Sequence, residues 1–278
     1  MDVKAPIGVI DSGVGGLTVV REMIERLPKE SIIYIGDDAR CPYGPKSPEE
    51  VASYTVELAE ALQHLGIKML VIACNTATAA ALPIVSEAFD FPIIGVIEPG
   101  SRAALQVSKN EKIVVLGTIG TVKSEAYNRA ILRRSDGRAE VQALACPNFV
   151  PIVEAGEYDT PQAKEVVAET LSVLDSDTFD TAILGCTHYP LLEKQIRDYF
   201  PPSVEIISSA VETVKDVDRT LRAFGIQNKE SGRTIRFYTT GERSEFKEIV
   251  EDWLPIERPV VEHINLQAVI RSKGRTLR

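Results

Sequence analysis

The residues able to do chemistry in this 278-residue chain are few, and they fall at matched stations. Four cysteines, Cys41, Cys74, Cys146 and Cys186, are widely spread and form no CxxC pair, so neither a zinc site nor a dithiol redox centre is indicated. Cys74 ends an apolar run in VIACNT, and Cys186 ends another in AILGCTHY. A thiol between a strand and the following helix feels the positive end of the helix dipole, which favours thiolate and lowers a pKa that starts near ~8.5. Such a thiol can take and return protons. The followers differ: Asn75 and Thr76 after Cys74, Thr187 and His188 after Cys186. His188, beside its thiol, suits general acid/base work, whereas His64 and His263 lack such context and read as structural. Asp11-Ser12-Gly13-Val14-Gly15-Gly16 presents backbone N–H groups at a helix start, a cradle for a carboxylate or phosphate. Thr18 stands where a dinucleotide fingerprint needs glycine, and the Gly-Lys-Ser/Thr ending of a P-loop is missing. Cys41-Pro42-Tyr43-Gly44-Pro45, just after a strand ending at Gly36-Asp37, is a rigid turn that is either a pocket wall or a surface loop. Glu154, in the Pro151 to Gly156 stretch, is open in the same way.

These residues need elements to hold them. Short apolar runs rich in β-branched residues occur at Ile7 to Asp11, Ile32 to Ile35, Met69 to Ala73, Ile93 to Ile97, Ile113 to Leu116, Ala182 to Leu184 and Val204 to Ile207. Helix-length amphipathic segments separate most of them, which predicts an α/β fold with largely parallel sheet. Three landmarks occur twice in the same order. IGVIDSGVG is echoed by IVVLGTIGT, which sets Asp11 against Gly117 and Ser12 against Thr118. Cys74 is echoed by Cys186, and each cysteine is followed at the same interval by an apolar strand start, Ile94 and Ile206. The repeat predicts two similar α/β domains related by a pseudo-twofold axis, with a first boundary near Glu98-Pro99-Gly100. Thr234 to Thr239 and Val260 to Ile264 read as further strands. In open α/β sheets ligands bind at the carboxyl ends of strands, where both cysteines sit.

Bulk properties narrow the function. Hydrophobic residues at 44% and charged residues at 26% are those of a folded globular protein. A net charge of −9 without a Lys/Arg cluster argues against nucleic acid, and leaves any anionic ligand to local donors. No apolar run approaches the ~20 residues that span a bilayer, so the expectation is no membrane, a cytoplasmic location and free thiols.

With these residues assembled, the chain resembles the glutamate racemases of the aspartate/glutamate racemase superfamily. The matching segments are IGVIDSGVGGLTV from Ile7, YIGDDARCPYGPKS from Tyr34, MLVIACNTATA from Met69, PIIGVIEPG from Pro92 and ILGCTHYPLL from Ile183. The resemblance implies interconversion of L- and D-glutamate without pyridoxal phosphate, metal or other cofactor, supplying D-glutamate for peptidoglycan. It implies a homodimer of two-domain subunits with the site between the domains. The C-terminal segment returns to the first domain, giving 1–97 plus 210–278 and 98–209. Carried over by motif, Cys74 and Cys186 are the catalytic thiols, with Asp11 and His188 as auxiliary groups. Asp11, Ser12, Pro42, Tyr43, Gly44, Asn75, Thr76, Thr118, Thr187 and His188 line the substrate site. The chemistry fits, because inverting an α-carbon needs one group to remove its proton and another on the opposite face to return one.

Other readings remain at this stage. One is a relative acting on aspartate or another acid. A second is a nucleotide- or sugar-binding module using the DSGVGG turn with incidental cysteines. A thiol hydrolase would leave the second cysteine unexplained.

Overall fold

The computed structural model describes residues 2–272; Met1 and 273–278, assigned above to the first domain, lie outside the described residues. Ten strands form two sheets. In chain order they are β1 (Ile7–Asp11), β2 (Ile32–Gly36), β3 (Met69–Ile72), β4 (Ile93–Gly95), β5 (Lys112–Gly117), β6 (Glu140–Ala145), β7 (Thr181–Gly185), β8 (Glu205–Ser208), β9 (Ile235–Thr239) and β10 (Val260–His263). The larger sheet has the order β10-β9-β2-β1-β3-β4 and the smaller β6-β5-β7-β8. Every pairing in both is parallel. Fully buried β1, β2, β3 and β7 explain why those strands read as unbroken apolar runs.

The two sheets repeat one topology. The order β2-β1-β3-β4 is reproduced as β6-β5-β7-β8, so the landmark repeat in the sequence corresponds to a structural one. In each half the chain moves to one side of the first strand and then crosses to the other. The switch points therefore lie between β1 and β3 and between β5 and β7, where ligand-binding crevices form outside the strand ends. Asp11 ends β1 and Cys74 follows β3; Thr118 follows β5 and Cys186 follows β7. β9 and β10 extend the first sheet only.

One strand, β6, is not announced by an apolar run, because the start of its EVQALA alternates polar and apolar residues as an edge strand does. Glu98-Pro99-Gly100, near which the repeat sets the first boundary, lies in the first turn of helix Ile97–Val107, where proline is tolerated. That helix packs on β7, β8 and helix Ala126–Arg134, all parts of the second half. Helix Ser209–Ala223 lies against both Ile97–Val107 and the first helix, Leu17–Arg26. Its buried Ala210, Val214, Val217 and Leu221 belong to one apolar cluster containing Val9 and Val71 of the first sheet and Val114 and Leu184 of the second. The two halves thus share core, which sets their strand ends face to face.

Candidate active site

Cys74 caps helix Asn75–Ala88, and its Sγ accepts the Ala77 N–H at 3.4 Å. Ser12 Oγ lies 3.8 Å from the same sulfur. The helix dipole argument expects a lowered thiol pKa; the structure gives the opposite. Burial and the neighbouring Asp11 charge outweigh the Ala77 and Ser12 donors and push Cys74 up to about 12. Asp11 is itself buried, so desolvation raises its pKa against the pull of His188 and the Gly13 and Gly16 N–H groups. Burial and Asp11 thus favour the protonated thiol at Cys74.

Cys186 is set differently. It is followed by Thr187, His188 and a 3-10 turn, Tyr189–Leu192, that runs directly into helix Glu193–Tyr199. An imidazole stands beside this thiol. His188 Nδ1 is 3.8 Å from Cys186 Sγ, and its Nε2 is 3.2 Å from Glu154 Oε1. Burial disfavours the imidazolium, but bonds to Cys186 and Glu154 prevail and raise His188 to about 10. Burial also opposes charge on Glu154, yet its bond to His188 holds the carboxyl below its usual range. Glu154, left open by the sequence, is thus the second partner of His188.

The two halves are tied across the gap. Thr187 Oγ1 donates to Asp11 Oδ2 at 3.3 Å, and Thr18 Oγ1 donates to the Thr187 carbonyl at 2.9 Å. Thr76 and Thr118 hydroxyls are 2.9 Å apart, and Thr121, which no sequence signal singles out, lies 3.0 Å from Thr118 and 3.3 Å from Thr76. Gly15 belongs to this contact: a Cβ there would stand 2.3 Å from Thr187 Oγ1 and 2.5 Å from His188 Nδ1. Glycine at position 15 is therefore required by the approach of the opposite half.

The Cys41-Pro42-Tyr43-Gly44 segment is a pocket wall. Tyr43 is buried and donates its hydroxyl to Asp37, which also accepts from Arg40 Nε at 2.7 Å and Thr240 Oγ1 at 2.8 Å. Cys41 Sγ lies 3.6 Å from Glu154 Oε1, and burial holds its thiol far above the ordinary range. Cys146 is fully buried beneath β5, with its Sγ on the Leu144 carbonyl at 3.6 Å.

Most of the site residues named from sequence meet in one enclosed pocket. Ser12, Pro42, Tyr43, Gly44, Cys74, Asn75, Thr76, Thr118, Cys186, Thr187 and His188 line it, together with Cys41 and Val150. Of the site residues named from sequence, Asp11 alone is not a wall and reaches the pocket through Thr187. Its volume is about 20 Å³, room for roughly one water, so an amino acid enters only if the walls part. A wider cavity of about 310 Å³, lined by Val14, Asp38, Cys41, Pro42, Glu154 and Glu242 among others, adjoins it. Among the described residues no group of three or more His, Cys, Asp and Glu is placed to hold a metal ion, and no helix is long and apolar enough to cross a membrane.

Known proteins are similar to this chain over nearly its whole length. A glutamate racemase of Listeria monocytogenes is 53% identical over 264 residues, covering 95% of this chain and 99% of that protein. The crystal structure of a glutamate racemase isoform from Bacillus anthracis superposes with a TM-score of 0.91 at 47% identity, covering 94% of this chain and 98% of that one. The glutamate racemase of Francisella tularensis, solved in complex with D-glutamate, has a TM-score of 0.89 at 33% identity, covering 96% and 99%. The model of the Asp/Glu/hydantoin racemase family matches residues 7–217. Duplicated sheets, facing thiols and these likenesses lead to one conclusion: the chain belongs to the Asp/Glu/hydantoin racemase family and is an isomerase.

Proposed function

We propose that the chain interconverts L- and D-glutamate by two-base proton transfer, with Cys74 and Cys186 on opposite faces of the substrate α-carbon. The observation carrying this reading is that both thiols line one closed pocket, each from its own half of the duplicated fold. The likeness to glutamate racemases covering nearly the whole chain supports glutamate as substrate and the supply of D-glutamate for peptidoglycan as its use. In domain terms the proposed units are 1–97 with 210–278 and 98–209, and the pocket is lined from both, by Ser12 and Cys74 of the first and Thr118 and Cys186 of the second.

In the proposed reaction one cysteine is thiolate and the other thiol. The thiolate takes the α-proton, the C–H electron pair spreads into the α-carboxylate, and the opposite thiol places its proton on the other face. Cys186 removes the proton of L-glutamate and Cys74 that of D-glutamate. Burial and Asp11 oppose ionisation of Cys74, so the thiolate needs a compensating cation. The substrate ammonium supplies one when bound, as it meets Asp11 and the developing thiolate together. On the other side the His188 imidazolium, held by Glu154, stabilises the Cys186 thiolate. Asn75, Thr76 and Thr118 offer fixed donors to the carboxylate as its charge grows, an electrostatic contribution that is usually the largest in such catalysis. Closure of the pocket strips water from these bonds.

The test is chiral analysis of L-glutamate, D-glutamate and aspartate incubated with the purified protein and with its Cys74→Ala and Cys186→Ala variants. Racemisation of glutamate, lost in both variants, is expected. Turnover of aspartate with equal efficiency would replace the substrate assignment, and near-normal turnover by either variant would end the two-thiol mechanism.

A further inference from the structure

Asn75 opens the helix behind Cys74, is buried, and lines the closed pocket. Its two amide atoms are treated unequally. Oδ1 accepts the Tyr127 hydroxyl at 2.7 Å, while Nδ2 is buried with no partner. A buried donor without an acceptor is uncommon in native folds and calls for an explanation. Oxygen and NH2 of an amide have nearly the same size, so packing does not choose between the two orientations and a hydrogen-bond partner must.

We propose that Tyr127 is a positioning residue for substrate binding: it turns the Asn75 oxygen toward itself, so that the NH2 faces the pocket and donates to a carboxylate oxygen of the substrate. This rests on the reading of Asn75 as a substrate-binding residue. Tyr127 comes from helix Ala126–Arg134 of the second half and Asn75 from the first, so the bond spans the two walls. A phenol can donate or accept, and here it donates to Asn75 Oδ1. Burial keeps the proton on the phenol, so the donor is always present. Ser209, at the start of helix Ser209–Ala223, borders the same space. Space is tight around the relay: a Cβ on Gly100 would sit 3.4 Å from the phenol oxygen and 3.3 Å from Ser209 Cβ. The opposite amide orientation would set an oxygen against the substrate carboxylate and repel it.

Steady-state kinetics of the wild type, Tyr127→Phe, Asn75→Ala and the double variant with L- and D-glutamate test the relay. Tyr127→Phe should lower kcat/KM roughly threefold to tenfold, mainly through KM, because one neutral hydrogen bond sets the amide. In the Asn75→Ala background the same change should leave kcat/KM nearly unaltered, since no amide remains to orient. Tyr127→Met, which fills the same space without a donor, should show the same loss with the same dependence on Asn75, which keeps the test available if Tyr127→Phe folds poorly. Unchanged KM in Tyr127→Phe overturns the proposal, as does an equal loss in both backgrounds, the mark of a merely structural role. Unchanged KM in Asn75→Ala alone would instead remove the assignment of Asn75 on which the proposal rests.

Discussion

Gly15→Ala adds one methyl group at the point where the two halves of the molecule touch. Its Cβ would lie 2.3 Å from Thr187 Oγ1, 2.5 Å from His188 Nδ1 and 2.6 Å from His188 Cε1. Ordinary contact begins near 3.4 Å, so something must move by about 1 Å. Neither neighbour is a free side chain end. Thr187 is held by Asp11, and His188 is held between Cys186 and Glu154 with only 2% of its surface exposed. Overpacking of this kind costs roughly 1–3 kcal/mol, a fall in Tm of several degrees for a chain of this size. Activity should suffer more than stability, because a shift of about 1 Å in a group that sets up proton transfer can cost on the order of 100-fold. Gly137→Ala is the control: its φ of 76° strains an alanine, but nothing lies within 4 Å of the added carbon. That variant should lose about 1 kcal/mol and keep its turnover. Circular-dichroism assays of racemisation alongside thermal melts measure both quantities. Wild-type kcat/KM in Gly15→Ala would refute the claim that this turn sets the position of the imidazole.

Asp11→Asn should raise the barrier at Cys74 and so enlarge the primary isotope effect with α-deuterated D-glutamate while shrinking that with L-glutamate; His188→Asn should do the reverse, and unaltered balances in both would remove their acid/base assistance. Cys41→Ala and Cys146→Ala should retain racemisation, because the first thiol is held protonated beside Glu154 and the second is packed away under β5. Since His188 is raised to about 10, its contribution to stability is fully present below the unfolded value near ~6.5 and is lost as pH rises through about 10. Urea titrations from pH 6 to 10 should show this decline in the wild type and its absence in His188→Asn. Lys68, fully buried, donates to Glu30 at 2.5 Å and to the carbonyls of Val3 and Ile226 at 2.6 and 2.9 Å. Lys68→Met should therefore cost about 3–5 kcal/mol, and Lys68→Met with Glu30→Leu less, as read by urea unfolding.

The parts of this account legible in the sequence are those with local signatures. Apolar runs announced the buried strands, and the twice-used order of Gly-rich turn and strand-end cysteine anticipated the duplicated sheets and the switch points where Cys74 and Cys186 sit. What escaped depends on chain segments that meet only after folding. Glu154 is far in sequence from His188, and Tyr127 far from Asn75, so neither partnership leaves a spacing to read. β6 escaped because an edge strand alternates polar and apolar residues. The expected depression of the Cys74 pKa failed for a further reason: helix geometry is local, but the depth of burial and the nearness of Asp11 are not.

The central claim, that different thiols serve the two faces of the α-carbon, is tested most directly by isotope incorporation from D2O. Unlabelled L-glutamate is incubated with the enzyme, the reaction is stopped within the first few per cent of turnover, and both enantiomers are separated for mass spectrometry. Two opposed cysteines predict that the D-glutamate formed carries solvent deuterium at its α-carbon while the remaining L-glutamate stays unlabelled, because the acid that donates is never the base that accepted. Protium retained in the product, or deuterium accumulating in the unreacted L-glutamate at the same rate, would contradict the account and point to a single base reaching both faces.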